Sequence, residues 1–160
     1  LDMTDLLLGE HRRTLDTRYR LVLPKDLCRA LAQPGDSLIL AKERPGTLSL
    51  WNGQKWQRRI DQGISLVQEK LQAGRMAGRL EEVQRLGRLL STRHTSVQLT
   101  DRERLLIPEG FRQFLAVEPG EQVLVLGAAL CVEIWCPTTW IKYLEDHMSQ
   151  FSELFTNLSS

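Results

Sequence analysis

Cysteine is scarce in this chain. The three present, Cys28, Cys131 and Cys136, form an odd and unevenly spaced set. Such a set makes a poor disulfide framework and suits a reducing compartment. All three are expected to act as packing residues, because free cysteine is often buried. Histidine is equally sparse: His11, His94 and His147 are scattered without metal-ligand spacing. The sequence has no glycine-rich phosphate loop and no nucleophile elbow. Neither a metal, nor a cofactor, nor an enzyme is therefore expected. No apolar run approaches the roughly 20 residues that span a bilayer, so no membrane partner is expected. Leu1-Asp2-Met3-Thr4-Asp5 places two acids ahead of a short apolar patch, Leu6-Leu7-Leu8. An export signal wants a basic start and a longer apolar stretch, so the expected location is the cytoplasm.

A strong net charge is also missing: the balance is +1 at pH 7. The distribution is more informative than the sum. Residues 109–160 hold Arg112 and Lys142 against seven acids, a net −5, which leaves +6 on residues 1–108. Basic residues crowd at Arg12, Arg13, Arg18 and Arg20, and again at Arg88, Arg93, Arg102 and Arg104. Taken singly, such runs are often solvated faces. Their positions within an internal repeat give them more weight.

Shifting the chain by 84 residues lays Leu15–Pro24 over Leu99–Pro108. Arg18, Arg20 and Pro24 recur as Arg102, Arg104 and Pro108; Leu31-Ala32 recurs as Leu115-Ala116. Trp51 and Trp56 recur as Trp135 and Trp140, and Pro34-Gly35 matches Pro119-Gly120 with one extra residue in the second copy. A period of this kind marks a duplicated unit. Each copy reads as an extended basic segment, a short apolar strand (Leu21–Leu23 or Leu105–Ile107) and a proline that opens a short helix. The helices are expected at about Lys25–Ala32 and Glu109–Ala116. A Pro-Gly turn starts a strand, Ser37–Ala41 or Gln122–Leu126. A hairpin returns through Leu48–Trp51 or Val132–Trp135, and a last helix begins near Gln54 or Thr138. The matching tryptophans are expected at matching core positions.

Roughly 45 residues bury too little to be stable alone, so the copies are expected to share one pseudo-symmetric β-barrel with flanking helices, an α+β fold. Between them, Trp56, Ile60, Ile64, Val67 and Leu71 have helical spacing, as do Leu80, Val83 and Leu86. Gly74 and Gly78 separate two helices there. The stretch Phe151–Phe155 reads as a frayed amphipathic tail or as a subunit contact.

Arg-x-Arg occurs once in each copy. In an extended segment, residues two apart point to the same side. Arg18 with Arg20, and Arg102 with Arg104, are expected to project together, as guanidinium forks suited to phosphate or to a guanine edge. The alternative is a local ion pair, chiefly Asp16 with Arg20, that shapes the loop. Lys42 and Arg44 at an expected hairpin tip are secondary candidates.

From Gly9 to about Leu144 the chain resembles the MraZ family of AbrB-like DNA-binding folds. The resemblance rests on the duplication, on Asp-x-x-x-Arg at Asp16–Arg20, on Arg-Leu-Leu-Ile at Arg104–Ile107 and on Glu-Ile-Trp…Trp at Glu133–Trp140. The helix around Val83–Leu86 also looks like that of the family. The resemblance divides the chain into AbrB-like halves at 9–56 and 92–146, connecting helices at 57–91 and a C-terminal tail at 147–160. It implies a transcriptional regulator, a repressor of the division and cell-wall gene cluster, that binds repeated promoter elements in double-stranded DNA. It also implies a homo-oligomeric ring and association with the nucleoid. The DNA contacts it implies are Asp16 and Arg20, with Arg104 in the second half. The Arg-x-Arg reading adds Arg18 and Arg102, and the basic run adds Arg12 and Arg13.

Two departures stand out. Tyr19 and Glu103 replace the glycine that usually precedes the motif arginine, and Thr100 replaces the second aspartate. Glycine permits backbone conformations that few other residues adopt, so an altered loop and a changed DNA preference are expected. The competing reading is an AbrB-like protein-binding module, an antitoxin or an oligomeric scaffold. A short tail and two folded halves fit it less well.

Overall fold

The structure is a computed structural model and describes residues 6–160. The acidic start of the chain, residues 1–5, lies outside the described residues. The strands are β1 (Glu10–Thr14), β2 (Arg20–Val22), β3 (Leu38–Arg44), β4 (Thr47–Asn52), β5 (His94–Val97), β6 (Arg104–Leu106), β7 (Gln122–Gly127) and β8 (Val132–Trp135). The helices are α1 (Lys25–Leu31), α2 (Gly53–Gln72), α3 (Leu80–Thr92), α4 (Glu109–Leu115), α5 (Pro137–His147) and α6 (Phe151–Ser159). Pro24 and Pro108 stand at the N-caps of α1 and α4, where no intrahelical N–H is needed. The Asn52 side chain caps α2 by accepting from the Lys55 N–H at 3.2 Å.

The fold is mixed α and β, with a six-stranded antiparallel sheet in the order β1-β7-β8-β4-β3-β5. Exchanging the copies (β1 with β5, β3 with β7, β4 with β8) reverses this order onto itself. The pseudo-twofold therefore passes between β4 and β8. It does so by interleaving: β1 of the first copy pairs with β7 of the second, Glu10 opposite Leu126. The expected closure into a barrel is not seen. Among the described residues the sheet has two free edges, β1 and β5. The remaining strands, β2 and β6, form a separate two-stranded ribbon across the same axis.

One core serves both copies. Leu21, Leu23, Leu105 and Ile107 from the ribbon region meet Leu27, Leu31, Phe111 and Leu115 from α1 and α4, above Leu40, Leu48, Leu50, Val123, Val125 and Ile134 of the sheet. Alternation along β7 sends Leu124 and Leu126 to the opposite face. There they pack with Trp135 beneath Trp140 and Tyr143 of α5. The copies differ at this point. Trp135 is 1% exposed, whereas Trp51, expected in a matching core position, is only half-buried. Arg59 stands where Tyr143 stands, and Ala30 where Phe114 stands, so less covers the first tryptophan.

The middle segment forms the two expected helices, α2 and α3, joined by a turn containing Gly74, whose φ is +72°. Among the described residues no helix is long and apolar enough to cross a membrane. Nor do they hold any His, Cys, Asp and Glu grouping suited to a metal ion.

Candidate nucleic-acid interface

The loop from Asp16 to Arg20 is organised by one carboxylate. Asp16 Oδ1 accepts from the amides of Arg18 (2.8 Å) and Arg20 (2.9 Å). Asp16 Oδ2 accepts from Arg20 Nε at 3.0 Å. The Asp16 amide donates to the Arg20 carbonyl, and the Tyr19 amide to the Asp16 carbonyl. The Arg20 amide is the largest cause holding the Asp16 carboxyl below its ordinary value; desolvation, second in size, opposes it, and the Arg18 amide and the Arg20 guanidinium tip the balance downward. Asp16 is thus turned inward on its own loop. Arg20 is tethered through Nε alone, leaving its two terminal nitrogens without a partner among the described residues.

The second loop keeps one backbone bond of the first and drops the clamp. The Thr100 amide donates to the Arg104 carbonyl at 2.9 Å, as Asp16 does to Arg20. The Thr100 hydroxyl reaches only the same carbonyl, at 3.4 Å. Among the described residues no carboxylate gathers the amides of Arg102 and Arg104.

One expectation about these loops needs correction, that Arg18 and Arg20 project together by alternation along an extended segment. Residues 17 and 18 form a turn and Tyr19 has φ +59°, so there is no strand to alternate along. Residues 101–103 likewise form a turn, with Arg102 at φ +65°. Arg18 and Arg102 are exposed on these turns, while Arg20 and Arg104 begin strands and are half-buried. At the positions just before the motif arginines, Tyr19 and Glu103 are both left-handed, at φ +59° and +54°. Cross-axis bonds hold them there: the Ile107 amide donates to the Tyr19 carbonyl (2.8 Å) and the Leu23 amide to the Glu103 carbonyl (2.9 Å). Tyr19 gains a further hold from α4, where the Arg112 guanidinium lies 4.2 Å from its ring centroid. At the equivalent site in the other half, Cys28 of α1 faces Glu103. Burial first, and the Glu103 charge second, push its thiol up to about 11.

The element that joins the two loops was not foreseen. In the ribbon, Arg20 pairs with Leu106, Leu21 with Leu105 and Val22 with Arg104. Cross-strand partners share a face. One face therefore carries Leu21 and Leu105, both fully buried, and the other carries Arg20, Val22, Leu106 and Arg104. Val22 and Leu106 are 46% and 47% exposed. Diagonal neighbours in such a pair sit about 7–8 Å apart. The outward face is thus a compact, twofold patch with an arginine at each corner of one diagonal and an exposed aliphatic at each corner of the other. The sequence signal was present: an apolar residue two after Arg20 and two after Arg104. In the sequence both sit inside a short apolar strand, Leu21–Leu23 or Leu105–Ile107, with nothing local to mark an outward face.

The other candidates divide. Arg12 is exposed on β1. Arg13 folds back, Nε donating to the Val22 carbonyl at 3.0 Å and Nη1 to the Arg12 carbonyl, so it braces the ribbon from behind. Lys42 lies 4.9 Å from the Phe111 ring centroid and Arg44 4.8 Å from that of Tyr143. The cations of that hairpin are engaged with aromatic rings of the second half. His94 packs 4.3 Å from Trp56; burial, then the Arg93 charge, lower its basicity.

Comparison with known proteins gives a consistent family. Residues 91–158 match the family described as "MraZ protein, putative antitoxin-like". The chain is 30% identical to the transcriptional regulator MraZ of Tropheryma whipplei, over 93% of this chain and 94% of that protein. It is 25% identical to the transcriptional regulator MraZ of Heliobacterium modesticaldum over 96% of each. It is 28% identical to that of Marinomonas sp., over 89% of this chain and 87% of that protein.

Proposed function

The chain belongs to the MraZ family, and on that premise we propose that it is a sequence-specific DNA-binding transcriptional regulator. Its targets are repeated elements in the promoter of a division and cell-wall gene cluster, which it represses as a homo-oligomer, in the cytoplasm and on the nucleoid. The observation that carries this reading is the outward face of the ribbon. A two-stranded ribbon fits the major groove of B-DNA, arginine forks bond a guanine edge bidentately, and aliphatic groups meet thymine methyls. Arg20 and Arg104 supply the forks, Val22 and Leu106 the aliphatic contacts. Arg18 and Arg102 on the flanking turns, with Arg12 on β1, lie towards the phosphates. Asp16 acts by holding Arg20 in place.

One chain offers few phosphate contacts, and non-specific affinity is typically on the order of 10⁻⁴–10⁻⁶ M. Several copies on repeated elements multiply this through effective concentration. The test is a gel shift with duplex from upstream of the chain's own gene, at several salt concentrations. Retarded complexes that weaken with salt are expected. Indifference to that duplex even in dilute buffer overturns the reading. A pull-down that instead recovers one stoichiometric small protein favours the antitoxin-like alternative.

A further inference from the structure

Among the described residues two apolar surfaces lie exposed, and they are complementary in charge. The first is α6. Phe151, Leu154, Phe155 and Leu158 occupy positions i, i+3, i+4 and i+7 and are 56–80% exposed. This is the spacing by which an amphipathic helix anchors in a groove. The second is a groove of about 260 Å³ lined by Leu6, Trp51, Lys55, Trp56, Arg59 and Leu130. It is smaller than the roughly 300–1,000 Å³ of small-molecule pockets, which favours side chains as its occupants. Leu6 and Leu130 on its rim are 60% and 71% exposed.

The groove is a product of the duplication. In the second half the equivalent space is filled. Gly46, at φ +88°, brings the β3–β4 hairpin tip against Thr139, so closely that a Cβ there would collide with the threonine hydroxyl. Its amide donates to the Phe114 carbonyl at 2.8 Å. In the first half Ala30 replaces Phe114 and Lys55 replaces Thr139, and the space stays open.

Charge selects the occupant. From Tyr143 to Ser160 the chain has three acids, Glu145, Asp146 and Glu153, and no lysine or arginine. The groove presents Lys55 and Arg59. Pairing α6 with another α6 would bring acids together, whereas seating it in the groove sets Glu153 near cations. We propose that α6 of one copy docks in the Trp51–Trp56 groove of a second copy, with Phe151, Leu154, Phe155 and Leu158 as the anchors. The contact joins different surfaces on the two copies, so a pair keeps one free groove on one copy and one free helix on the other, and assembly continues until the rotation closes. This deepens the homo-oligomer part of the reading above by naming its contact.

Light scattering during size exclusion, at micromolar concentration, tests it with two variants altered at exposed positions. Phe155→Asp removes the helix anchor, and Leu130→Asp with Arg59→Glu spoils the groove. The wild-type chain is expected above monomer mass. Each variant alone is expected as a monomer, its association at least ~10-fold weaker. An equimolar mixture is expected to form a dimer and nothing larger, because one intact contact remains. A monomeric wild-type chain overturns the proposal. So does a groove variant that assembles like wild type, since α6 then pairs elsewhere. A mixture that stays monomeric also overturns it. Circular dichroism checks that both variants are folded. Neither variant alters the ribbon, so DNA binding to a single element reports on the DNA reading separately.

Discussion

Asp16 and Thr100 occupy the same place in the two halves, and so do Trp51 and Trp135, yet in each pair the environments differ. The first loop has a carboxylate that fixes three donors, while the second, left-handed at both Arg102 and Glu103, has no such clamp and keeps the Thr100–Arg104 backbone bond. The second tryptophan lies under Trp140, Tyr143 and the Arg44 guanidinium, while the first lines an open groove. The first half has thus kept an ordered loop beside an uncovered face, and the second a sealed face beside an unclamped loop.

The largest expected difference lies in the tryptophans. Trp135→Ala is expected to destabilise the chain by about 3–5 kcal/mol, as for a buried aromatic, and Trp51→Ala by less than half of that. Equal losses in chemical denaturation would show that the groove is closed in solution. Next come the arginines. Arg20→Ala is expected to weaken specific DNA binding by roughly 1–3 kcal/mol, the worth of one bidentate base contact, with oligomer size unchanged. Arg104→Ala is expected to cost less, because an untethered guanidinium loses more side-chain freedom on binding. A gel shift in which both substitutions cost the same would deny Asp16 a positioning role.

A smaller contrast separates the two left-handed residues. Glu103→Gly is expected to stabilise by about 1 kcal/mol through relief of the αL conformation. Tyr19→Gly is expected to be near neutral, since it also loses the Arg112 contact, worth about 0.5–1 kcal/mol when exposed. Thermal melts of the two variants side by side measure this. The smallest effect concerns pH. The folded Asp16 carboxyl titrates below its ordinary value of 3.8. Its contribution is therefore complete above the unfolded value and is lost as pH falls through the folded one. Amide exchange at Arg18 and Arg20 is expected to quicken in that acid range, and exchange at Arg102 and Arg104 to show no such step. Asp16→Asn is expected to abolish the difference.

Most of the secondary structure was legible because its signals are local. Pro24 and Pro108 mark the starts of α1 and α4, Gly74 separates α2 from α3, and the repeat places β2, β3 and β4 a second time as β6, β7 and β8. What escaped depends on distant partners. Nothing near Glu10 indicates that its strand pairs with Leu126. The left-handed turns at Tyr19 and Glu103 defy local preference because bonds from Ile107 and Leu23 hold them. The ribbon was missed for the same reason: Val22 and Leu106 look like core until β2 and β6 are laid side by side. Arg44 looked like a free hairpin cation, and only the packed α5 shows the ring it covers. In the candidate site, Arg20 and Arg104 were found by the repeat, but the face that unites them needed the tertiary pairing.

The interleaving of β1 with β7 has a consequence for synthesis. A ribosome adding roughly 5–20 residues per second releases Glu10 on the order of ten seconds before Leu126 exists to receive it. During that interval the nascent first half has no partner for its leading strand, and its inner leucines lack half their neighbours. Splitting the coding region between the halves would therefore give two polypeptides that are each unfinished, whereas co-expressing the fragments would let each template the other.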